Sequence, residues 1–180
     1  MNQIFLSGRP GIGKTSVLLR ALDLLKVEGY EIGGMISREF RKLGVRLGFE
    51  IIDVKTGERG LLAHVNQFVG PRVGKYRVNL NDLNNIGVRS ILKAVEDADI
   101  IVVDEIGPME LFSSPFKEAV MKAIKSMKPM LGTIHYSLHD AFIEEIKAEK
   151  RVVIIEVTNE NREYLHTNII KRFIQFTKSN

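Results

Sequence analysis

Gly8-Arg9-Pro10-Gly11-Ile12-Gly13-Lys14-Thr15 is the stretch on which the fold turns. It satisfies G-x-x-x-x-G-K-[ST] at every specified position. A chance match in a chain of this size is on the order of 1 in 100, so the flanking residues must decide. Ile4-Phe5-Leu6 before it is a short apolar run, and from Lys14 onward Val17, Leu18, Ala21, Leu22 and Leu25 recur at helical spacing until Gly29. Strand, glycine loop and helix in that order make a phosphate cradle. The glycines let the backbone wrap an anion, and amide N–H groups and the helix dipole face it. Lys14 reaches the β- and γ-oxygens, and Thr15 offers its hydroxyl to Mg²⁺.

Working outward, 31–37 reads as a second strand weakened by Gly33 and Gly34. From 43 to 79, short Val/Ile/Leu/Phe stretches alternate with Thr56-Gly57, Gly60, Gly70-Pro71 and Gly74, which suits hairpins and predicts a β-rich insertion over about 38–79. Residues 81–97 carry a helical pattern despite three asparagines and Gly87. Ile100 to Val103 is a β-branched run of the kind buried on both faces of a parallel sheet. Ser114-Pro115 reads as an N-cap followed by proline, ahead of the stripe Phe116, Val120, Ala123, Ile124 and Met127. Met130 to Ile134 is a predicted strand, Ser137 with Asp140 opens a helix ending near Glu149, Val152 to Val157 is a strand, and about 160–176 a last helix. Strands alternating with helices predict one α/β domain over 1–180 with a mostly parallel sheet.

Ile100-Ile101-Val102-Val103-Asp104-Glu105 ends a strand in two acids. Parallel strands present their C-terminal ends to the ligand crevice, so Asp104 is placed to serve Mg²⁺ and Glu105 to polarise an attacking water. The plain alternative is two solvated acids at a strand end. An acid directly after a metal-site Asp favours hydrolysis over group transfer, since a kinase has no use for a base aimed at water. Successive strand residues point to opposite faces, so the two acids are expected to do different jobs.

With 180 residues, 44% apolar, 27% charged and no cysteine or tryptophan, the chain is excluded from disulfide scaffolds, iron–sulfur proteins, thiolate zinc sites and cysteine-nucleophile enzymes. No apolar run reaches the 18 or so residues of a membrane span, and Met1 to Leu6 runs into a polar loop unlike a signal peptide. A reducing cytoplasm, no membrane partner and a monomer or weak oligomer are the expectations. The net charge of +4 is concentrated: residues 38–77 hold nine Lys or Arg against four acids, and the rest of the chain is slightly acidic. That segment lacks the interleaved aromatics of single-strand binders, which disfavours nucleic acid as a partner.

The glycine loop, Arg38 to Phe49 with its Arg46-Leu47-Gly48-Phe49, Gly74-Lys75-Tyr76, Asp104-Glu105-Ile106-Gly107-Pro108-Met109-Glu110-Leu111 and Asn161-Arg162 together resemble the thermophile-type nucleoside-triphosphatases. Human relatives of that family are called cancer-related nucleoside triphosphatases. The resemblance spans nearly the whole chain. It implies a three-layer, RecA-like P-loop fold and slow Mg²⁺-dependent hydrolysis of ATP, GTP, CTP, UTP and TTP to diphosphates. One departure is Pro108, where many members carry Lys.

Read across from the family, Gly8 to Thr15 and Asp99-Ile100-Ile101-Val102-Val103-Asp104-Glu105-Ile106 are the nucleotide-binding stretches, Glu105 is the catalytic base with Lys14 on the phosphates, and Thr15 and Asp104 serve the metal. In that branch the strand ending at Thr133-Ile134-His135 lies between the cradle strand and the Asp104 strand, which makes Thr133 or His135 a γ-phosphate sensor or, alternatively, a packing residue. Arg38, Arg41 and Arg46 are candidate phosphate contacts or solvated charges. Asn161 and Arg162 are base contacts or a capped helix start. Thr158-Asn159-Glu160-Asn161 is not the N-K-x-D guanine reader, and Phe49 and Tyr76 either stack on a base or pack in the core.

Overall fold

A computed structural model describes residues 2–178; Met1 lies outside them. Nine strands form one sheet in the order β5-β6-β4-β3-β2-β7-β8-β1-β9. Its parallel block comprises β1 (Gln3–Ser7), β2 (Ile32–Lys42), β7 (Ile100–Ile106), β8 (Met130–Ile134) and β9 (Val152–Glu156). The strand β8 pairs with β1 on one side and β7 on the other, as the family resemblance implied.

The block is buried on both faces, and the alternation of its strands sorts the apolar residues between two layers. Ile4, Leu6, Val102 and Leu131 meet α1 (Lys14–Val27) and α6 (Leu165–Lys178) through Leu18, Leu22, Ile169 and Phe173. Phe5, Ile101 and Val103 turn the other way. They join Phe116, Val120 and Ile124 of α4 (Ser114–Lys125), Ile143 and Ile146 of α5 (Ala141–Ala148), and Ile91 and Ala94 of α3 (Arg89–Asp97). Helix, sheet and helix make the three-layer α/β arrangement of a P-loop fold.

The β-rich segment prolongs this sheet. β2 runs on past the expected end at Ser37 to Lys42, parallel to β7 over Ile32–Ile36 and antiparallel to β3 (Val45–Asp53) along its length. β4 (Arg59–His64), β5 (Arg72–Val73) and β6 (Tyr76–Val78) complete the antiparallel wing. The glycines that weakened the strand reading have a packing cause. Gly34 has φ +115°, and a Cβ there would stand 2.1 Å from the Val102 carbonyl oxygen on β7.

Three local expectations change. The 81–97 helix is three pieces: α2 (Leu80–Asp82), a π-helical turn over Leu83–Val88, and α3. Asn84, Asn85 and Gly87 are poor helix formers, and a widened turn accommodates them. The cap of α4 is Ser113, whose hydroxyl accepts the Phe116 N–H at 3.1 Å, with Ser114 and Pro115 inside the first turn. α5 is capped by Asp140, whose carboxylate accepts the Phe142 N–H at 2.8 Å, so Ser137 lies outside it. No helix among the described residues is long and apolar enough to cross a membrane.

Candidate active site

The glycine loop leaves β1 at Ser7 and enters α1 at Lys14. Gly13, at φ 109°, is the residue before the helix, a left-handed conformation that turns the free N–H groups of the first helical turn toward the loop. No acidic residue occupies that turn. Lys14 folds back over the loop, its Nζ donating to the Gly8 carbonyl at 3.3 Å. A cleft of about 510 Å³ opens here, and Gly8, Pro10, Gly11, Gly13, Lys14 and Thr15 form one wall. Arg9 and Ile12 do not join it: the Arg9 carbonyl accepts the Ile12 N–H at 3.2 Å, and the Ile12 side chain packs on the α1–α6 layer.

Asp104 and Glu105 form the floor, and both line the same cleft. This departs from the opposite-face expectation. The pairing of β7 with β8 slips between Val103 and Ile106, across the two acids themselves, while Asp104 still pairs in register with Ile36 on β2. Asp104 is 1% exposed; Thr15 donates to its Oδ1 at 3.4 Å, and the Thr133 hydroxyl donates to the same oxygen. Its Oδ2 is buried with no partner. Burial pushes the Asp104 carboxyl up to about 6 against the pull of the Thr133 hydroxyl; the Glu105 charge adds to the rise, and Thr15 and Lys14 oppose it. Glu105 is also raised by burial, with Lys14 opposing. Both carboxyls therefore bind a proton more readily than an exposed acid.

The rest of the run from Asp99 does not reach the cleft. Asp99 caps the opposite end of the sheet, its Oδ2 accepting the Glu31 N–H at 2.8 Å. Ile100, Ile101, Val102, Val103 and Ile106 are buried in the two apolar layers. A family stretch read as a block of contacts thus resolves into two side chains at a strand end and the strand that holds them.

Arg38 and Arg46 line the cleft and Arg41 does not. Arg41 is turned away to Glu39 and to the Gly44 carbonyl. Arg46 is held at the rim by Glu39 at 2.6 Å and by the Tyr76 hydroxyl at 2.9 Å, and its guanidinium lies 5.3 Å from the Phe49 ring centroid. Hydrogen bonding to Arg46 is the main influence lowering the Glu39 carboxyl. Phe49 lines the cleft, whereas Tyr76 is 6% exposed and packs against Phe49 edge-on. His135 is at the cleft with an unpartnered, buried Nδ1 and a pKa lowered first by burial and then by Lys14; Thr133 lies behind it, on Asp104. Asn161 is used within its own turn, accepting the Thr158 N–H and donating to the Glu156 carbonyl. Arg162 lines a second, smaller cavity of about 260 Å³ with Gly11, Ile12 and Gly13 of the loop and Arg20 of α1. Ser37, Glu39 and Tyr136 also border the main cleft. Ser37 lies within β2, just past Ile36, which pairs with Asp104, and Tyr136 follows the end of β8 on the other side of β7, a signal readable only once the strand order is known.

Among the described residues no group of three or more His, Cys, Asp or Glu forms a closed metal cage. One buried carboxylate with a free oxygen beside a threonine hydroxyl is instead the donor set that suits Mg²⁺, which takes one or two protein ligands together with phosphates and water.

The chain matches the family described as NTPase over residues 3–170. It is 45% identical over 161 residues to the nucleoside-triphosphatase THEP1 of Thermofilum pendens, covering 89% of this chain and 88% of that one. It is 42% identical over 173 residues to the THEP1 of Methanocaldococcus jannaschii, covering 96% and 97%. The solution structure of a human cancer-related nucleoside triphosphatase superposes with a TM-score of 0.81 at 33% identity, over 96% of this chain and 97% of that one. Crystallographic THEP1 from Aquifex aeolicus gives 0.83 at 27% identity, over 96% and 99%. With the family match spanning residues 3–170 and relatives 42–45% identical over most of their own length, the chain belongs to the nucleoside-triphosphatase family.

Proposed function

We propose that the protein hydrolyses ATP, GTP, CTP, UTP and TTP to diphosphate and phosphate with Mg²⁺ bound and little regard for the base. The observation that carries this is the meeting of Asp104 and Glu105 with Lys14 and Thr15 in one cleft. Backbone N–H groups at the start of α1 and the Lys14 ammonium hold the β- and γ-phosphates. Thr15 and Asp104 are the residues that would hold Mg²⁺, and the unpartnered Oδ2 of Asp104 fits that use. When bound, Mg²⁺ offsets the charge on the phosphate oxygens.

Glu105 orients a water at the γ-phosphorus. The water oxygen bonds to phosphorus, the bond from phosphorus to the bridging oxygen breaks with its electron pair leaving on the diphosphate, and Glu105 accepts the water's proton. Partial burial makes this carboxylate a stronger base than an exposed one. Arg46, preset by Glu39 and Tyr76, and Arg38 supply further positive charge, and His135 borders the cleft where the terminal phosphate would lie. Arg162, beside Gly11 and Gly13 in the second cavity, is the proposed base or ribose contact; Asn161 is spent on its turn. A single arginine at an open cavity is a poor discriminator of bases.

The test is phosphate release with no second substrate, for wild type, Glu105→Gln and Asp104→Asn, with and without RNA. Glu105→Gln should bind MgATP within about 3-fold of wild type and hydrolyse it at least 100-fold more slowly, roughly 2.7 kcal/mol of lost transition-state stabilisation. Asp104→Asn should weaken Mg²⁺-dependent binding. Normal turnover by both variants overturns the mechanism. Turnover that needs an acceptor substrate makes the protein a kinase, and strong stimulation by RNA makes it a nucleic-acid-associated ATPase.

A further inference from the structure

The hydrolase reading leaves one buried acid beside the site without a role. Glu110 is 4% exposed, lies in a 3₁₀ turn over Glu110–Phe112, and is absent from the cleft wall. Its Oε2 accepts the Gly107 N–H at 3.2 Å. Gly107 in turn stands between two acids. The position a Cβ would take there is 3.3 Å from Glu105 Oε1 and 3.3 Å from Glu110 Oε2. The same turn is closed by the Leu111 N–H on the Gly107 carbonyl at 3.2 Å and by the Ser113 N–H on the Glu110 carbonyl at 3.0 Å.

A buried carboxyl with no cation beside it is costly when charged. Burial pushes the Glu110 carboxyl up to about 8, and the neighbouring Glu105 and Asp104 charges push the same way. At neutral pH it is therefore a neutral acid, able to accept from an amide without adding a second negative charge next to Glu105. A purely apolar residue at this place would leave the Gly107 N–H buried and unpaired, and the turn that follows Glu105 would shift to find it a partner.

We propose that Glu110 is a positioning residue for hydrolysis: its buried side chain clamps the Gly107 amide and thereby sets the Glu105 carboxylate toward the phosphate cradle. This rests on the assignment of Glu105 as the base. Substrate binding depends on the loop, α1 and Asp104, whereas the Glu110 carboxyl is hydrogen-bonded to the Gly107 amide in the turn after Glu105. Loss of the clamp should therefore appear in kcat and not in KM, because displacing a general base by about 1 Å costs on the order of 100-fold.

The test compares Glu110→Ala, Glu110→Gln and Glu110→Asp, with Glu105→Gln as the control, measuring kcat, KM and MgATP Kd on protein shown to be folded. Glu110→Ala should lower kcat at least 10-fold with KM and Kd within about 2-fold. Glu110→Gln is neutral and keeps an acceptor oxygen at the same reach, so it should restore kcat to at least 10-fold above Glu110→Ala; Glu110→Asp, too short to reach Gly107, should resemble Ala. If Glu110→Ala does not fold, the Gln and Asp variants decide by the same ratio. Wild-type kcat for Glu110→Ala, equal damage to kcat and KM, or failure of Gln to exceed Asp or Ala overturns the inference. Normal turnover by Glu105→Gln instead overturns the assignment of Glu105 as the base on which the inference rests, so the two failures are told apart.

Discussion

At residue scale, Glu110 ties chemistry to stability. Its folded carboxyl holds its proton to about pH 8, well above the ordinary 4.5. Between those values the native state keeps a proton that the unfolded chain has released, so unfolding sheds a proton and stability falls as pH rises. Below about 4.5 both states are protonated, and above about 8 both are ionised, so the slope is confined to that window. Asp104, raised to about 6, contributes in the same direction over its own lower window and is present in both proteins. Subtracting Glu110→Gln from wild type therefore isolates Glu110. Denaturant titrations at pH 5, 6.5 and 8 should show the variant gaining on wild type by up to about 1.4 kcal/mol per pH unit. Parallel pH profiles would show that Glu110 is ionised in the native protein throughout.

At the scale of elements, the helix following the active-site turn depends on one cap. Ser113 accepts the Phe116 N–H and donates to Asn84 at 2.6 Å, joining α4 to the π-helical turn. Ser114, one residue on, is exposed in the first turn. Ser113→Ala removes a cap, orphaning the buried Phe116 N–H and the half-buried Asn84, and should cost about 1–2 kcal/mol; Ser114→Ala should stay within about 0.5 kcal/mol. Denaturation of the two variants checks this, and equal losses would return the cap to Ser114. The sequence motif, serine before proline, was legible. Which of two adjacent serines turns inward was not, because that depends on where Asn84 and the preceding turn place the chain.

For the whole molecule, part of the positive charge of the antiparallel wing is answered within the fold. Arg41 and Arg46 share Glu39, Arg59 meets Glu50, and Lys55 meets Glu31 and Asp97. Such exposed pairs add little stability, yet they spread the field that a net charge count suggested. The wing instead brings Arg46 and Phe49 to the phosphate cleft. Contacts directed at phosphates predict similar use of all bases: kcat/KM for ATP, GTP, CTP and UTP should fall within about 100-fold of one another, or 2.7 kcal/mol. A wider spread would reveal a base-reading pocket beyond the Arg162 cavity.

What the sequence determined by itself is whatever contiguous residues can specify. The cradle from Gly8 to Thr15, the helix it opens, the two-faced burial of Ile100 to Val103 and the pair Asp104-Glu105 need only neighbours along the chain, because glycine freedom, helical spacing and strand alternation are local. Tertiary structure decided everything that depends on pairing between distant segments. It carried β2 past Ser37, so that Glu39 and Arg46 reach the cleft and Arg41 does not. It slipped the β7–β8 register, so that both acids face one site, and left Asp99 at the far end of the sheet. It also buried Glu110 beside Glu105. Strand register and turn packing are set by the closest fit of side chains far apart in sequence, and no periodicity in either segment encodes that fit alone.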